Sequence, residues 1–314
     1  MTDRAEHASD SGDLQSLLML EEREAGLYRS VTPDTNFGGE VFGGQYLGLT
    51  VSAAMRSAPG RTPHALHGFF LRAASAADQV DYVVEPTRDG RAFAHRRVSA
   101  VQHGREAFRA EVSFHAWEEG QPTHAAVAPP VPVLEDLPSL REIVLAGAAS
   151  LDPVTVRRVL NRRSFDAYFV KPAEGLGAKG AEPGIAGWIR PNPPPREDDS
   201  VAYYATLAYL SDACANFASR ITHSTNLHDG SLTSVSLNHA IWFHALPCRI
   251  ERVLMVFDSP FTGGGLGFNR GVIYAADGRV LASIVQEALV RRASQASPAD
   301  TSKTGGQAPS APSR

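Results

Sequence analysis

Cysteine is nearly absent from this sequence: 314 residues contain two, Cys214 and Cys248. Two thiols cannot build a disulfide framework, and no C-x-x-C pair is present to hold zinc. No apolar run reaches the roughly eighteen residues that a spanning helix needs. The opening MTDRAEHASDSGD is polar and lacks the apolar core of a secretory signal. These absences predict a cytoplasmic protein with no integral membrane segment. Basic surplus is missing too: 30 Lys+Arg stand against 34 Asp+Glu, a formal net charge of −4. A dedicated nucleic-acid binder would show the opposite balance, so no nucleic-acid partner is expected. Several catalytic signatures are also lacking. There is no G-x-S-x-G elbow, no H-E-x-x-H and no G-x-x-x-x-G-K-[ST]. The cluster Gly263, Gly264, Gly265 and Gly267 does not fit G-x-G-x-x-G and leads into a strand-like segment, so it reads as a hairpin loop.

What is present is an ordinary globular composition, 43% hydrophobic and 20% charged. The length suits one large domain or two of about 100–150 residues each. Residues 1–12 and 293–314 are rich in Ser, Ala, Pro and Gly and are expected to be disordered tails. Pro-rich stretches at 121–139 and 183–199 interrupt the middle. Between them LREIVLAGAA and DPVTVRRVL read as short helices, with Asp152 capping the second and Pro153 at its first position. The predicted organisation is a unit over 13–120, a linker over 121–164 and a second unit over 165–292.

The two units resemble each other. Each opens with an apolar helix, 41–55 in the first and 201–219 in the second, followed by strand-like segments. These are 65–73, 79–88 and a long pair joined at His103-Gly104, then 234–245, 249–259 and a long pair joined at Asp277-Gly278. Asp-Gly is a strong hairpin signal. Aligning Arg105 with Arg279, 174 positions apart, pairs Arg96 with Arg270 and Val112 with Gln286. Each helix is apolar nearly all round and should be wrapped by its own antiparallel sheet. The expected class is α+β, a double hotdog of two helix-wrapped repeats in one chain.

Two polar residues contradict their apolar surroundings. Asp212 falls within the second helix, in LAYLSDACANF, where a buried carboxylate is costly without partners. The alternatives are a partly exposed helix face or a desolvated base or nucleophile. The first helix contains no acid, so a catalytic Asp212 implies one site per chain. Gln286 falls in the period-2 row Val280, Ala282, Ile284, Ala288 and Val290, where its amide must find partners. Ser236 is weaker: alternation places it with Asn238, Trp242 and His244, opposite Val235, Leu237 and Ile241. His64, His67, His239 and His244 flank strands, no acid or sulfur completes a ligand set, and no metal site is expected. Cys214 reads as core. Arg88, Arg91, Arg96, Arg97 and Arg270 sit at strand ends and hairpins, where some could grip a phosphate-bearing ligand.

The segments GGEVFGGQYLG, HALHGFFLRA, TRDGRAFAHRRVSAVQHG, LNHAIWFH and VLASIVQEALVR, with GWIRPN between them, resemble the acyl-CoA thioesterase II family of double-hotdog hydrolases. The resemblance spans roughly 14–292. It implies hydrolysis of fatty acyl-CoA to free fatty acid and CoA, no metal or organic cofactor, and a homo-oligomer. It places the catalytic set, matched motif by motif, on Asp212, Ser236 and Gln286, which would activate a water. Gly44, His67, Arg88 and Arg270 are candidates for contacting the substrate or its CoA part. The Gly43-Gly44-Gln45 turn is a candidate source of oxyanion donors. FLRAASAADQ lacks the family's Pro-Gly-Asp, and Asn238 stands where many members have Asp; both bear on substrate range. The rival expectations are a hotdog enoyl-CoA hydratase, which would need a His beside Asp212, and a non-catalytic acyl-CoA-binding protein.

Overall fold

The computed structural model describes residues 12–36, 39–148, 151, 153–171, 182–223 and 232–292. Both expected tails, apart from Gly12, and the proposed cap Asp152 lie outside them. The helices are α1 (Leu14–Leu17), α2 (Gly43–Arg56), α3 (Leu140–Gly147), α4 (Pro153–Asn161) and α5 (Ser200–Ser211). The strands are β1 (Leu20–Glu24), β2 (Leu27–Ser30), β3 (Thr62–Phe70), β4 (Asp81–Asp89), β5 (Phe93–Gln102), β6 (Arg105–His115), β7 (Phe165–Phe169), β8 (Gly184–Pro191), β9 (Leu232–Phe243), β10 (Val253–Gly263), β11 (Leu266–Ala275) and β12 (Val280–Arg292).

The twelve strands of the described residues join one antiparallel sheet in the order β1-β2-β4-β5-β6-β3-β9-β12-β11-β10-β8-β7. The order is the same read from either end, half against half, so the expected repeat is visible in the topology. The halves meet where β3 pairs with β9, from Ala65 opposite Trp242 to Phe69 opposite Asn238. Strands β5 and β6 alternate buried and exposed residues along most of their length, as a sheet with one face on a core requires. The two long hairpins form where expected. His103 and Gly104 both take positive φ, 51° and 70°, as a two-residue turn of the primed kind demands.

Helices α2 and α5 lie on the inner side of the sheet and against each other. Twelve residues of α2 are buried, and so is α5 from Tyr203 to Ser211. Their approach depends on glycine. A Cβ on Gly44 would stand 2.3 Å from the Tyr209 carbonyl oxygen, and one on Gly48 2.9 Å from that of Ala205. Backbone therefore meets backbone where the two helices cross.

Four readings of the sequence need correction. The second helix ends at Ser211, with Asp212 as its C-cap; the turns that follow, through His223, are not its continuation. Asp212 is thus at a helix end rather than mid-helix. The stretch 183–199 is not only an interruption, since 184–191, which includes GWIRP, forms β8 and pairs with β10. Val280 leaves the buried row because a bulge at Leu281 turns it outward, while Ala282, Ile284, Gln286, Ala288 and Val290 keep it. Arg96 does not correspond to Arg270. Arg96 sits opposite Val112 and is buried, whereas Asn269 sits opposite Gln286 and Arg270 faces out. The loop of the second hairpin is one residue longer, which shifts the match between β5 and β11 by one and leaves Val112 matched to Gln286.

A second apolar cluster lies on the outer face of the second half, where Tyr168, Trp188, Leu254 and Tyr274 are covered by Leu134 and neighbouring residues of 128–137. Trp188 Nε1 donates to the Pro132 carbonyl at 2.9 Å, satisfying the indole that this cover buries.

Candidate active site

The structure brings Asp212, Ser236 and Gln286 together, and the path from sequence to that meeting runs through a β-bulge. On β9, Asn238 is opposite Glu287 and Ser236 is opposite Ala288, so Leu237 is an extra residue. The bulge inverts the alternation. Ser236 therefore shares the inner face with His239 and Ile241, and not with Asn238 and Trp242 as simple period-2 reading predicts. Asn238 points outward and donates to Glu287 Oε2 at 3.1 Å.

Gln286 is fully buried, and its amide is fully used. Nε2 donates to Asn216 Oδ1 at 2.8 Å and to Ser236 Oγ at 3.0 Å. Asn216 Nδ2 also donates to Ser236 Oγ, at 3.1 Å. Both lone pairs of the Ser236 hydroxyl are then occupied, so its proton is the group left to give. Gln286 Oε1 accepts a short bond from His239 Nδ1. His239 Nε2 lies 2.9 Å from Ser211 Oγ. The turn carrying Asn216 is anchored by Asn269, whose Oδ1 accepts from the Ser219 N–H at 2.9 Å.

Asp212 stands beside this network, against the start of α2. A Cβ on Gly43 would lie 2.5 Å from Asp212 Oδ2, so only glycine allows the approach. The residue preceding α2, Phe42, offers no side-chain cap, and the first N–H groups of a helix have no partner within it. The helix N-terminus therefore presents spare donors next to the carboxylate, which is where Gly44 was expected to act. Asp212 Oδ1 is sealed from solvent with no hydrogen-bond partner among the described residues. Burial pushes the carboxyl up to about 7, against the opposing pull of the Gln286 amide, the Gly44 N–H and the Arg162 guanidinium. Burial likewise pushes His239 down to about 4, so its ring is neutral near pH 7.

Arg162 is held nearby in a second buried cluster. Tyr209 Oη donates to Asp34 Oδ2 at 2.5 Å, and Arg162 Nη1 donates to Tyr209 Oη at 3.2 Å. The guanidinium also lies over the rings of Phe42 and Phe165, 5.1 and 5.0 Å from their centroids.

Three sequence candidates are not brought to Asp212. His67 is exposed on the outer face of β3, edge-on to Trp242 at 4.9 Å. Arg270 is exposed on the outer face of β11 and bound to Asp258. Arg88 is exposed on β4, in the other half. Conversely, nothing in the sequence marks Asn216 or Ser211, and His239 is weighed there only as a metal ligand. Period-2 alternation would put His239 on the face opposite Ser236, and the bulge at Leu237 brings the two to one face. No group of His, Cys, Asp and Glu among the described residues could hold a metal ion.

Two antiparallel half-sheets, each wrapped on its helix, with a polar cluster at the end of the second helix, define a double-hotdog protein. Comparison with known proteins narrows this. Residues 31–115 match the model of the acyl-CoA thioesterase N-terminal domain, and 142–290 that of the C-terminal domain. Acyl-coenzyme A thioesterase 8 of Rattus norvegicus is 30% identical over 91% of this chain and 93% of its own length. Acyl-CoA thioesterase 2 of Haemophilus influenzae is 28% identical over 89% and 97%. The crystal structure of the acyl-CoA thioesterase II TesB2 from Mycobacterium marinum superposes with a TM-score of 0.72 at 30% identity, covering 90% of this chain and 99% of that one. The chain belongs to the acyl-CoA thioesterase family.

Proposed function

We propose that this chain, an acyl-CoA thioesterase, hydrolyses fatty acyl-CoA to free fatty acid and CoA at the cluster of Asp212, Ser236 and Gln286. The observation that carries the reading is the half-buried Asp212, one carboxylate oxygen sealed from solvent and its pKa pushed up to about 7 by burial, set against a helix N-terminus that lacks a side-chain cap. Asp212 acts as general base, taking a proton from a water as it attacks the thioester carbonyl. A base with a pKa near the working pH combines availability with strength. The Ser236 hydroxyl, its lone pairs engaged by the Gln286 and Asn216 amides, gives its proton to that water and holds it against the carboxylate, so Gln286 acts on the water through Ser236; such positioning supplies a large part of the rate. The Gly44 N–H is engaged by Asp212, and the neighbouring Gly43 N–H at the same helix N-terminus supplies a donor that stabilises the oxyanion. The thiolate of CoA is a good leaving group, so the step demands no stronger nucleophile.

His239 enters the cluster, yet both its ring nitrogens are engaged, with Gln286 and Ser211, and burial keeps it neutral. That argues against the proton shuttling a hydratase of this fold would require. Substrate contact through His67, Arg88 or Arg270 receives no support from their placement. No helix among the described residues is long and apolar enough to cross a membrane. A cytoplasmic homo-oligomer fits the two free cysteines and the exposed Phe69 and Val235 on β3 and β9. Sedimentation showing a lone 33.6 kDa species at micromolar concentration would remove the oligomer from the proposal.

The direct experiment follows release of free CoA thiol from acyl-CoA esters of graded chain length, with wild type and Asp212→Asn side by side. The expected result is release by the wild type and almost none by the variant. Binding without thiol release would mark an acyl-CoA carrier, and hydration of enoyl-CoA without release would mark a hydratase.

A further inference from the structure

We propose that His239 is a positioning residue for this reaction: seated between Ser211 and Gln286, it holds the Gln286 amide in the one orientation that aims Nε2 at Ser236. The inference rests on the reading of Asp212, Ser236 and Gln286 as the reacting cluster.

The argument is one of proton accounting. Gln286 Oε1 can only accept, so the His239 Nδ1 that bonds it carries the hydrogen. A neutral ring then has its lone pair on Nε2, which faces Ser211 Oγ at 2.9 Å. Ser211 Oγ also donates to the Ala208 carbonyl oxygen at 2.7 Å, so its one proton has two acceptors to serve. Placed on the Ala208 side it leaves His239 Nε2 to donate to Ser211 and Nδ1 to accept; turned to Nε2 it leaves Nδ1 protonated, which is the state Gln286 Oε1 requires. In the other tautomer Nδ1 would be an acceptor, and Gln286 would have to turn its NH₂ toward the ring. Its carbonyl oxygen would then face Asn216 Oδ1 and the Asp212 carboxylate, two acceptors, and would take up the Ser236 proton that the present arrangement leaves free. The state of His239 and the direction of the Gln286 amide are therefore one coupled choice.

The first half of the chain shows that the fold itself does not ask for this pair. Leu66 stands opposite Val112 in the same register as His239 opposite Gln286, each two residues after the same bulge, at His64 and at Leu237. Leu66 and Val112 are both fully buried. An apolar pair satisfies the architecture, and the polar pair occurs where the acid is.

The test measures kcat, KM and the pH profile for His239→Leu, His239→Asn and His239→Gln, with Gln286→Val as control. The amide nitrogen of Asn reaches the place of Nδ1, whereas that of Gln reaches the place of Nε2. His239→Leu should fold, lose on the order of 10–10²-fold in kcat with little change in KM, and shift its acid limb to higher pH as ionised Asp212 loses the oriented amide. The other groups that bear on Asp212, the Arg162 guanidinium and the Cys214 thiol, are untouched by these variants. His239→Asn should recover most of kcat and return the limb; His239→Gln should not. Wild-type kcat and pH profile in His239→Leu, with Gln286→Val inactive, would overturn the role of His239 and leave the cluster intact. Full activity in Gln286→Val would instead overturn the cluster. Should His239→Leu fail to fold, the other pair decides: equal kcat in His239→Asn and His239→Gln refutes the proposal.

Discussion

The two halves share a scaffold and differ in what fills the same place. At the end of α5 stands Asp212; at the end of α2, in the same C-cap position, stands Ser57. The network beside Asp212 is built from Gln286, His239, Ser236 and Asn269. Their register counterparts in the first half are Val112, Leu66, Pro63 and Arg96, and of these Arg96 bonds to Ser57. In the first half the Arg96 guanidinium closes the pocket: Nε donates to Ser57 Oγ at 2.9 Å and Nη2 to the Ser57 carbonyl at 3.0 Å, with Asp89 2.8 Å away. Every strong group there has a partner, and the charge is paired. In the second half a carboxylate sits at the negative end of a helix, with one oxygen sealed and unpartnered. The first arrangement stabilises a fold; the second costs stability and holds the carboxylate proposed as the base.

The largest break in this contrast comes from removing the acid. Asp212→Asn should fold and lose about 10²–10⁴-fold in kcat. It should also raise the Tm above pH 7. The native carboxyl keeps its proton to about pH 7, whereas an unfolded aspartate releases it near 4. Between those values the folded state binds the extra proton, so wild-type stability falls as pH rises, and the variant escapes that loss. The gain at pH 8, read by calorimetry, should be on the order of 1–4 kcal/mol, the upper end being the full linkage of a shift of about three units. A variant that is no more stable at pH 8 than at pH 5, relative to wild type, would contradict the raised pKa.

Giving the second half the residue of the first is the next test. Gln286→Val should pack as Val112 does and lose about 10²-fold in turnover, read by thiol release. Smaller effects come from Ser236. Ser236→Ala should reduce kcat by about 10-fold or more, less than Asp212→Asn because the carboxylate remains, and Ser236→Thr should be tolerated because the hydroxyl persists. Since Ser236 and Gln286 are bonded and act on one water, the double variant Ser236→Ala/Gln286→Ala should fall well short of the product of the single losses. Multiplying losses would separate the two residues.

For the wild type, log kcat should rise with unit slope up to about pH 7 and then level, because Asp212 must be ionised to accept a proton. A flat profile from pH 5 to 8 would exclude this group as the base. The smallest effect on catalysis is expected from the reverse exchange. Val112→Gln buries an amide among apolar residues without the partners Gln286 has, so it should cost about 1–3 kcal/mol by denaturant unfolding and leave turnover per folded molecule unchanged.

By itself the sequence determined the duplication, the two long hairpins and the buried row of β12, because each is written in local periodicity and turn chemistry. It also determined that Asp212 and Gln286 are out of place, since a polar residue among apolar neighbours is visible without coordinates. Tertiary structure decided the rest. Whether Ser236 faces the helix depends on one extra residue at Leu237, and a bulge leaves no mark in a period-2 pattern. The end of α5 at Ser211 was hidden because the apolar residues beyond it remain buried in turns. The nearness of Gly43 to Asp212 follows from two helices 157 residues apart crossing at glycines. The roles open to His239 and Asn216 follow from the partners that crossing and that bulge supply. Hydrogen bonds between residues distant along the chain are set by packing, and packing is decided only when both half-sheets have closed on their helices.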